Sequence, residues 1–246
     1  MKLRTVFLSM GMMLVLLTSL VLQATPVSAA DAWQNVGSAG FSAGRSFDIS
    51  LAIYSGTPYV AYYDEANSNK ATVMKFNGSS WVNVGSAGFS AGGANYTSLA
   101  IYTGTPYVAY RDAGNSNKAT VMKYNGSSWV NVGSAGFSAG PVYYTSLAID
   151  TSGTPYVAYS DYNNSSKATV MKYNGSNWVN VGSAGFSAGQ VNRTSLALDA
   201  SGTPYVAYTD NANSGKATVM KFNGSSWEDV GSAGFSAGGA DFTSLA

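Results

Sequence analysis

The sequence predicts an all-β fold built from one four-stranded unit that is repeated along most of the chain. A tryptophan-led phrase returns five times, 48, 48, 49 and 49 residues apart, at Trp33, Trp81, Trp129, Trp178 and Trp227. No stretch places apolar residues at helical spacing. Charged residues are only 10% of the 246 residues, whereas Gly and Tyr are abundant, a composition unlike that of helical bundles and coiled coils.

Four β-rich runs lie between turn signals in each unit. In the second unit they predict strands A to D at residues 97–102, 106–112, 119–124 and 128–132. Asn125-Gly126 predicts a type I′ hairpin turn between strands C and D, because both central residues of that turn need positive φ. The third and fourth units are one residue longer in the turn between strands A and B.

Four antiparallel strands repeated every 40–50 residues are the pattern of a β-propeller blade. The chain therefore predicts four complete blades and a partial one, with a D strand at residues 33–36 and part of an A strand before Ala246. An open ring would leave sheet edges that native proteins avoid. We accordingly expect either further blades after Ala246 or self-association of chains that closes the ring.

The unit resembles the blades of secreted bacterial β-propeller repeat proteins, whose superfold is shared by kelch-like and sialidase-like propellers. The resemblance rests on the phrases T-P-Y-V-A-Y-x-D and K-A-T-V-M-K-[FY]-N-G-S. Asp64, Asp112, Asp161 and Asp210 stand where kelch blades carry a glycine pair. The sialidase pattern S-x-D-x-G-x-x-W is also missing. The resemblance implies the fold and hardly bears on function.

The first 30 residues predict a secretory signal peptide. Lys2 and Arg4 precede an apolar stretch at residues 6–22, and small residues at Ala29 and Ala30 offer a cleavage site. The alternative is an uncleaved membrane anchor, for which the apolar stretch is slightly short. We expect a propeller at residues 31–246 that is secreted or held at the cell surface. Because it has no Cys, it fits a bacterial exported protein.

Composition excludes several chemistries. Without Cys or His, the chain lacks disulfides, thiolate nucleophiles and the commonest zinc ligand. The net charge of +1 lacks the excess of basic residues that indicates binding of nucleic acid. Asp112 and Asn115 could supply oxygen ligands for calcium, but Lys118 beside them argues against a bound cation, and an Asx turn with an Asp–Lys pair is simpler. We therefore expect neither a metal nor a cofactor, and no membrane contact once the signal is cleaved.

The five tryptophans could stack on a ligand, but their strict repetition favours packing between blades. A phenylalanine recurs between strand D and the next strand A, as in Phe89 and Phe137. We expect these rings to wedge between blades.

Differences between the copies predict the functional face. They concentrate in the D–A and B–C connections, which lie on the same rim of an up-and-down propeller. We predict that this rim binds glycans or other cell-surface ligands without catalysis, in the manner of a lectin, because aromatic rings and planar donors suit polar ring-shaped ligands. The predicted ligand-binding residues are Arg45, Phe47, Tyr63, Tyr96, Arg111, Tyr143, Tyr144, Tyr162 and Arg193.

Three alternatives remain open for this rim. Its variation also fits simple drift in exposed loops. A sialidase-like glycoside hydrolase could use Arg45, Arg111 and Arg193, although no acid or nucleophile can be assigned. A structural or adhesive spacer would need no site.

Overall fold

A computed structural model describes residues 33–246. The chain divides into Met1–Asn35 and a compact unit, Val36–Ala246. Residues 33–35 form no regular element, and the predicted signal peptide lies outside the described residues. Among the residues described, no helix has both the length and the apolar character needed to cross a membrane.

The compact unit consists of four antiparallel sheets, each with four strands in sequence order. The first two sheets contain β1 (Ser46–Tyr54), β2 (Thr57–Asp64), β3 (Lys70–Phe76), β4 (Trp81–Asn83), β5 (Ala94–Tyr102), β6 (Thr105–Asp112), β7 (Lys118–Tyr124) and β8 (Trp129–Asn131). The other two contain β9 (Val142–Ile149), β10 (Pro155–Asp161), β11 (Lys167–Tyr173), β12 (Trp178–Asn180), β13 (Val191–Leu198), β14 (Pro204–Asp210), β15 (Lys216–Phe222) and β16 (Trp227–Asp229). One 3₁₀ turn follows the second strand of each sheet: Glu65–Asn67, Ala113–Asn115, Tyr162–Asn164 and Asn211–Asn213.

This architecture confirms the predicted propeller of four-stranded blades. The first strands of the blades, β1, β5, β9 and β13, follow one another around the axis, each packed on the next. The predicted strands B to D are confirmed to within a residue or two. The sequence predicts that strand A starts at residue 97, but β5 starts at Ala94. A β-bulge between Asn95 and Ser98 shifts the pairing with β6, and the strand continues on both sides of it.

Apolar faces of consecutive blades form the core. At the first junction, Tyr59 and Val73 of one blade pack against Val108, Tyr110 and Trp129 of the next. The same type of cluster recurs at the second and third junctions. Burying each such side chain contributes about 1.5–3 kcal/mol, so stability accumulates from one junction to the next.

The tryptophans and phenylalanines fasten each junction, as predicted. Phe89 stacks on Trp129 with ring centroids 4.0 Å apart, and the Trp129 indole N–H donates to the Val84 carbonyl at 2.7 Å. Equivalent pairs are found at Trp81, Trp178 and Trp227. These four tryptophans are therefore structural, whereas Trp33 is fully exposed.

The four sheets do not close a ring. Leu99 is only 7% exposed because the preceding blade covers it, whereas the equivalent Leu51 of the first blade is 61% exposed. Ile49 and Ile53 lie uncovered on the same face. The expected self-association of chains stays a prediction.

Three local predictions are wrong. Residues 33–36 form no strand, and within residues 33–246 no strand pairs with them. Asn125-Gly126 belongs to a four-residue loop, in which the Asn125 side-chain carbonyl accepts from the Ser127 and Ser128 N–H groups at 3.0 and 2.9 Å. The type I′ geometry occurs instead between β1 and β2, where Ser55 and Gly56 both have positive φ.

The third correction concerns the aspartate of the second strand. Asp112 is 1% exposed and accepts from the Gly114 N–H at 2.9 Å, which confirms the Asx turn. Its second oxygen accepts from the Asn115 amide at 2.8 Å and the Thr120 hydroxyl at 2.9 Å. These donors satisfy the carboxylate, and in the described structure Lys118 forms no ion pair with it.

Candidate functional site

A β-bulge interrupts the first strand of every blade near the axis. The pairing of β1 with β2 shifts between Phe47 and Ser50, and β5, β9 and β13 shift at equivalent places. One residue in each bulge has positive φ: Asp48 (50°), Tyr96 (54°), Tyr144 (53°) and Arg193 (53°). Phe242 has a φ of 57° at the fifth equivalent position.

This backbone conformation is costly for such residues. Left-handed φ costs an L-residue with a Cβ about 1–2 kcal/mol, and glycine escapes the penalty. None of the five positions is glycine. Strained residues of this kind concentrate at binding sites, so the bulge position is the first indication of where the site lies.

Contacts between neighbouring blades hold the bulge in place. The Thr97 hydroxyl donates to the Asp48 carbonyl, and the Thr145 hydroxyl donates to the Tyr96 carbonyl. Two residues further on, the Leu147 N–H donates to the Ser98 hydroxyl at 2.9 Å. The same contacts recur at the other junctions. The strained backbone is thus fixed by the fold.

The bulge side chains surround a pocket of about 270 Å³ at the axis, which we call the axial pocket. Its lining residues are Asp48, Ile49, Tyr96, Thr97, Tyr144, Thr145, Arg193, Thr194, Phe242 and Thr243. The volume is just below the range of about 300–1,000 Å³ that is usual for small-molecule sites. It therefore suits one small ring.

Two aromatic side chains position the positively charged Arg193 in the axial pocket. The Arg193 guanidinium lies over the Phe242 ring at 4.0 Å and near the Tyr144 ring at 5.2 Å. A guanidinium held between two rings keeps its N–H donors at the edge, where they can reach a polar ligand.

The opposite charge in the pocket comes from Asp48, whose carboxylate accepts from the Tyr96 N–H at 2.6 Å. Burial raises the pKa of the Tyr96 hydroxyl above its usual value. That hydroxyl therefore stays protonated at neutral pH and can donate a hydrogen bond.

Three of the nine predicted site residues, Tyr96, Tyr144 and Arg193, line the axial pocket. Three more lie beside it on the same rim. The Arg111 guanidinium sits 4.9 Å from the Tyr143 ring, and the rings of Tyr143 and Tyr162 are 6.5 Å apart. The Tyr143 ring is also 6.2 Å from that of Tyr96, which links this second group to the pocket.

The remaining predicted residues form a separate cluster on the first blade. The Arg45 guanidinium lies 5.0 Å from the Phe47 ring and 3.7 Å from the Glu65 carboxylate. Phe47 in turn meets Tyr63 edge to face at 5.7 Å. None of these residues lines the axial pocket.

The prediction missed Asp48 and Phe242 as pocket residues. Both lie in the variable D–A segment, so sequence variation alone gave a signal for them. What selects them is the left-handed φ at the bulge, which turns one position per blade toward the axis.

Carboxylate chemistry at the pocket is limited. Asp48 is the one carboxylate in its described lining. Over residues 33–246, no group of three or more Asp or Glu residues is placed to hold a metal ion. Glycoside hydrolysis usually needs two carboxyl groups that flank the scissile bond.

No protein-family model matches the chain, and no curated protein matches it. Solved structures do match. A variant of Aleuria aurantia lectin, in complex with Fucα1-6GlcNAc, has a TM-score of 0.55 at 19% identity, over 77% of this chain and 64% of the lectin. An exo-β-1,3-galactanase of Phanerochaete chrysosporium, with β-1,3-galactotriose, has a TM-score of 0.51 at 12% identity, over 77% of this chain and 51% of the enzyme.

An endo-1,4-β-xylanase from Bacteroides thetaiotaomicron has a TM-score of 0.50 at 15% identity, over 75% of this chain and 72% of that one. At these identities the likeness shows the fold, a β-propeller. This chain therefore shares its architecture with a lectin solved with a bound glycan and with two enzymes that are named as a galactanase and a xylanase.

Proposed function

We propose that this protein is an exported, non-catalytic β-propeller that binds a sugar residue in its axial pocket. The observation that carries the proposal is the left-handed φ of 50–57° at Asp48, Tyr96, Tyr144, Arg193 and Phe242. Glycine would be cheaper at each position if only the fold mattered. Bulky aromatic and charged residues at such positions are expected where their side chains serve a ligand.

The chemistry of the lining favours a polar ring. The Arg193 guanidinium and the Tyr96 hydroxyl donate hydrogen bonds, and the Asp48 carboxylate accepts them, as sugar hydroxyls require. The lectin of similar fold binds a glycan, which agrees with this proposal. Export rests on the signal peptide that residues 1–30 predict.

Binding is favoured over hydrolysis because the described lining offers a single carboxylate, Asp48. A two-carboxylate mechanism would need a second group across the scissile bond. We therefore expect the protein to bind glycans without turning them over.

A glycan array probed with the purified full chain tests the proposal. We expect binding to a restricted set of glycans and loss of that binding in Arg193→Ala. Arg45→Ala is the matched control, since Arg45 is an exposed arginine on the same rim outside the pocket. Equal loss in both variants would place binding elsewhere on the rim. Turnover of a fluorogenic glycoside by the same preparation would contradict the non-catalytic assignment.

A further inference from the structure

The rim opposite the axial pocket carries a cleft at each junction between blades, beside the turn after each first strand and the Asn-Gly loop. The clefts measure about 550 Å³ between the first and second blades, 500 Å³ between the second and third, and 450 Å³ between the third and fourth. All three lie within the usual range for small-molecule sites, about 300–1,000 Å³. Each is larger than the axial pocket.

The three clefts are built alike. In the first, Tyr59 and Lys75 come from one blade, and Tyr107 and Lys123 come from the next. Each tyrosine stands directly across from its lysine on the neighbouring strand. The second and third clefts repeat this set with Tyr156, Lys172, Tyr205 and Lys221. Lys123 and Lys172 each line two clefts.

The lysines give the clefts a positive charge that the protein leaves largely uncompensated. Among residues 33–246, Lys221 is the one cleft lysine in an ion pair, 3.4 Å from Glu228. Asp150 lines the second cleft and offsets part of its positive charge, while its Oδ1 accepts from the Ser152 and Thr154 N–H groups at 2.9 and 2.8 Å. The first cleft has two lysines and no carboxylate in its lining.

Aromatic rings lie beside this charge. The Lys123 ammonium is 6.0 Å from the Tyr107 ring, and the Lys172 ammonium is 5.8 Å from the Tyr156 ring. Burial raises the pKa of both tyrosine hydroxyls, so they stay protonated. Each cleft thus combines an ammonium, a hydroxyl donor and an aromatic surface.

We propose that these clefts bind anionic sugar residues, which carry a carboxylate or a sulfate, along an extended acidic polysaccharide. The lysines would pair with the anion, and the tyrosines would contact the sugar ring. Because the clefts repeat from blade to blade, one polymer could occupy several of them and gain avidity. The proposal is independent of the axial pocket, which lies on the other rim.

Titration of the purified full chain with tetragalacturonate, which carries carboxylates, tests the proposal. The methyl ester of the same tetrasaccharide is the control without charge. A sulfated galactan tetrasaccharide tests the sulfate as the anion. We expect one or both anions to bind, with affinity falling as salt rises, and the ester to bind at least about tenfold more weakly. Lys123→Gln with Lys172→Gln should weaken anion binding by about tenfold or more. The corresponding arginine variants should restore it.

Lys118→Gln with Lys167→Gln is the matched control, because these lysines start the same strands at the other rim. This control and Arg193→Ala should both leave anion binding unchanged. The proposal is overturned if neither anion binds, if the ester binds as well as the acid, or if the control pair loses as much affinity as the cleft pair. Loss of array binding in Arg193→Ala, with anion binding kept, separates the two sites.

Discussion

Replacing Tyr144 by glycine should remove a ring from the axial pocket at a lower cost in stability than the same change at the neighbouring Tyr143. Tyr144 has a φ of 53°, so glycine relieves about 1–2 kcal/mol of backbone strain. Glycine also raises the conformational entropy of the unfolded chain, which lowers stability by about 0.5–1 kcal/mol. Losing the ring contacts to Tyr96 at 4.9 Å and Arg193 at 5.2 Å costs about 0.5–1.5 kcal/mol. The relief of strain therefore offsets much of these two losses, and the lost burial of the half-buried ring adds a further cost that Tyr143 shares.

Tyr143 provides the matched comparison. It precedes Tyr144 in β9, is likewise half-buried, and contacts Arg111 at 4.9 Å and Tyr162 at 6.5 Å. Tyr143 is not among the positive-φ residues, so Tyr143→Gly relieves no strain. Its free energy of unfolding should fall by about 1–2.5 kcal/mol from the entropy and contact losses alone.

Urea unfolding followed by circular dichroism measures both variants. We expect Tyr144→Gly to be more stable than Tyr143→Gly by about 1–2 kcal/mol, the size of the strain. The glycan array should nevertheless show loss of binding in Tyr144→Gly. Equal destabilisation of the two variants would refute the argument that the bulge position is strained.

Two further predictions concern buried groups that hold a blade together. Asp112→Ala should lower the free energy of unfolding by about 2–3 kcal/mol in urea titrations, because the buried Thr120 hydroxyl would lose its acceptor; a loss below about 0.5 kcal/mol would contradict this role. Burial, together with the charge of Asp112, raises the pKa of the Tyr110 hydroxyl above its usual value. As pH rises, the unfolded chain therefore releases that proton before the folded protein does. The protonated hydroxyl contributes its full stability below about pH 10. Above that pH the free energy of unfolding falls by up to about 1.4 kcal/mol per pH unit. Tyr110→Phe should make this alkaline loss less steep in unfolding curves at pH 9–11, while Tyr159 and Tyr208, whose pKa values burial also raises, keep contributing to it; an unchanged slope would refute the assignment.

The blade could be predicted because its information is local. The period of two in residues 119–124 and the turns that bound them fix a strand without reference to distant residues, and the structure places β7 at Lys118–Tyr124. The stacking of Phe89 on Trp129 was also predictable, because both residues recur in every copy.

Turn geometry was less predictable, since one dipeptide permits more than one loop. Asn125-Gly126 suits a two-residue type I′ turn, yet the Asn125 side chain instead captures the N–H groups of Ser127 and Ser128. That contact stabilises a longer loop. Competition from side-chain hydrogen bonds of this kind is not visible in the dipeptide itself.

The rim was predicted from variation between copies, but the pocket within it was not. Arg45 and Arg193 both lie at positions that differ between the copies of the unit, whereas only Arg193 lines the axial pocket. The distinction comes from the bulge, which depends on how β13 pairs with β14. Pairing irregularities arise from tertiary contacts, so no window of sequence around Arg193 contains them.

The contacts that hold the bulge explain why its side chain can vary. The Thr194 hydroxyl donates to the Tyr144 carbonyl, and the Leu196 N–H donates to the Ser146 hydroxyl at 3.0 Å. Neither contact uses the side chain at the bulge itself, so the fold constrains the backbone there and leaves the side chain open. Aspartate, tyrosine, arginine and phenylalanine all occupy the position with nearly the same φ. The propeller can therefore present different groups at its axis without changing the contacts between its blades, as the proposed ligand-binding role requires.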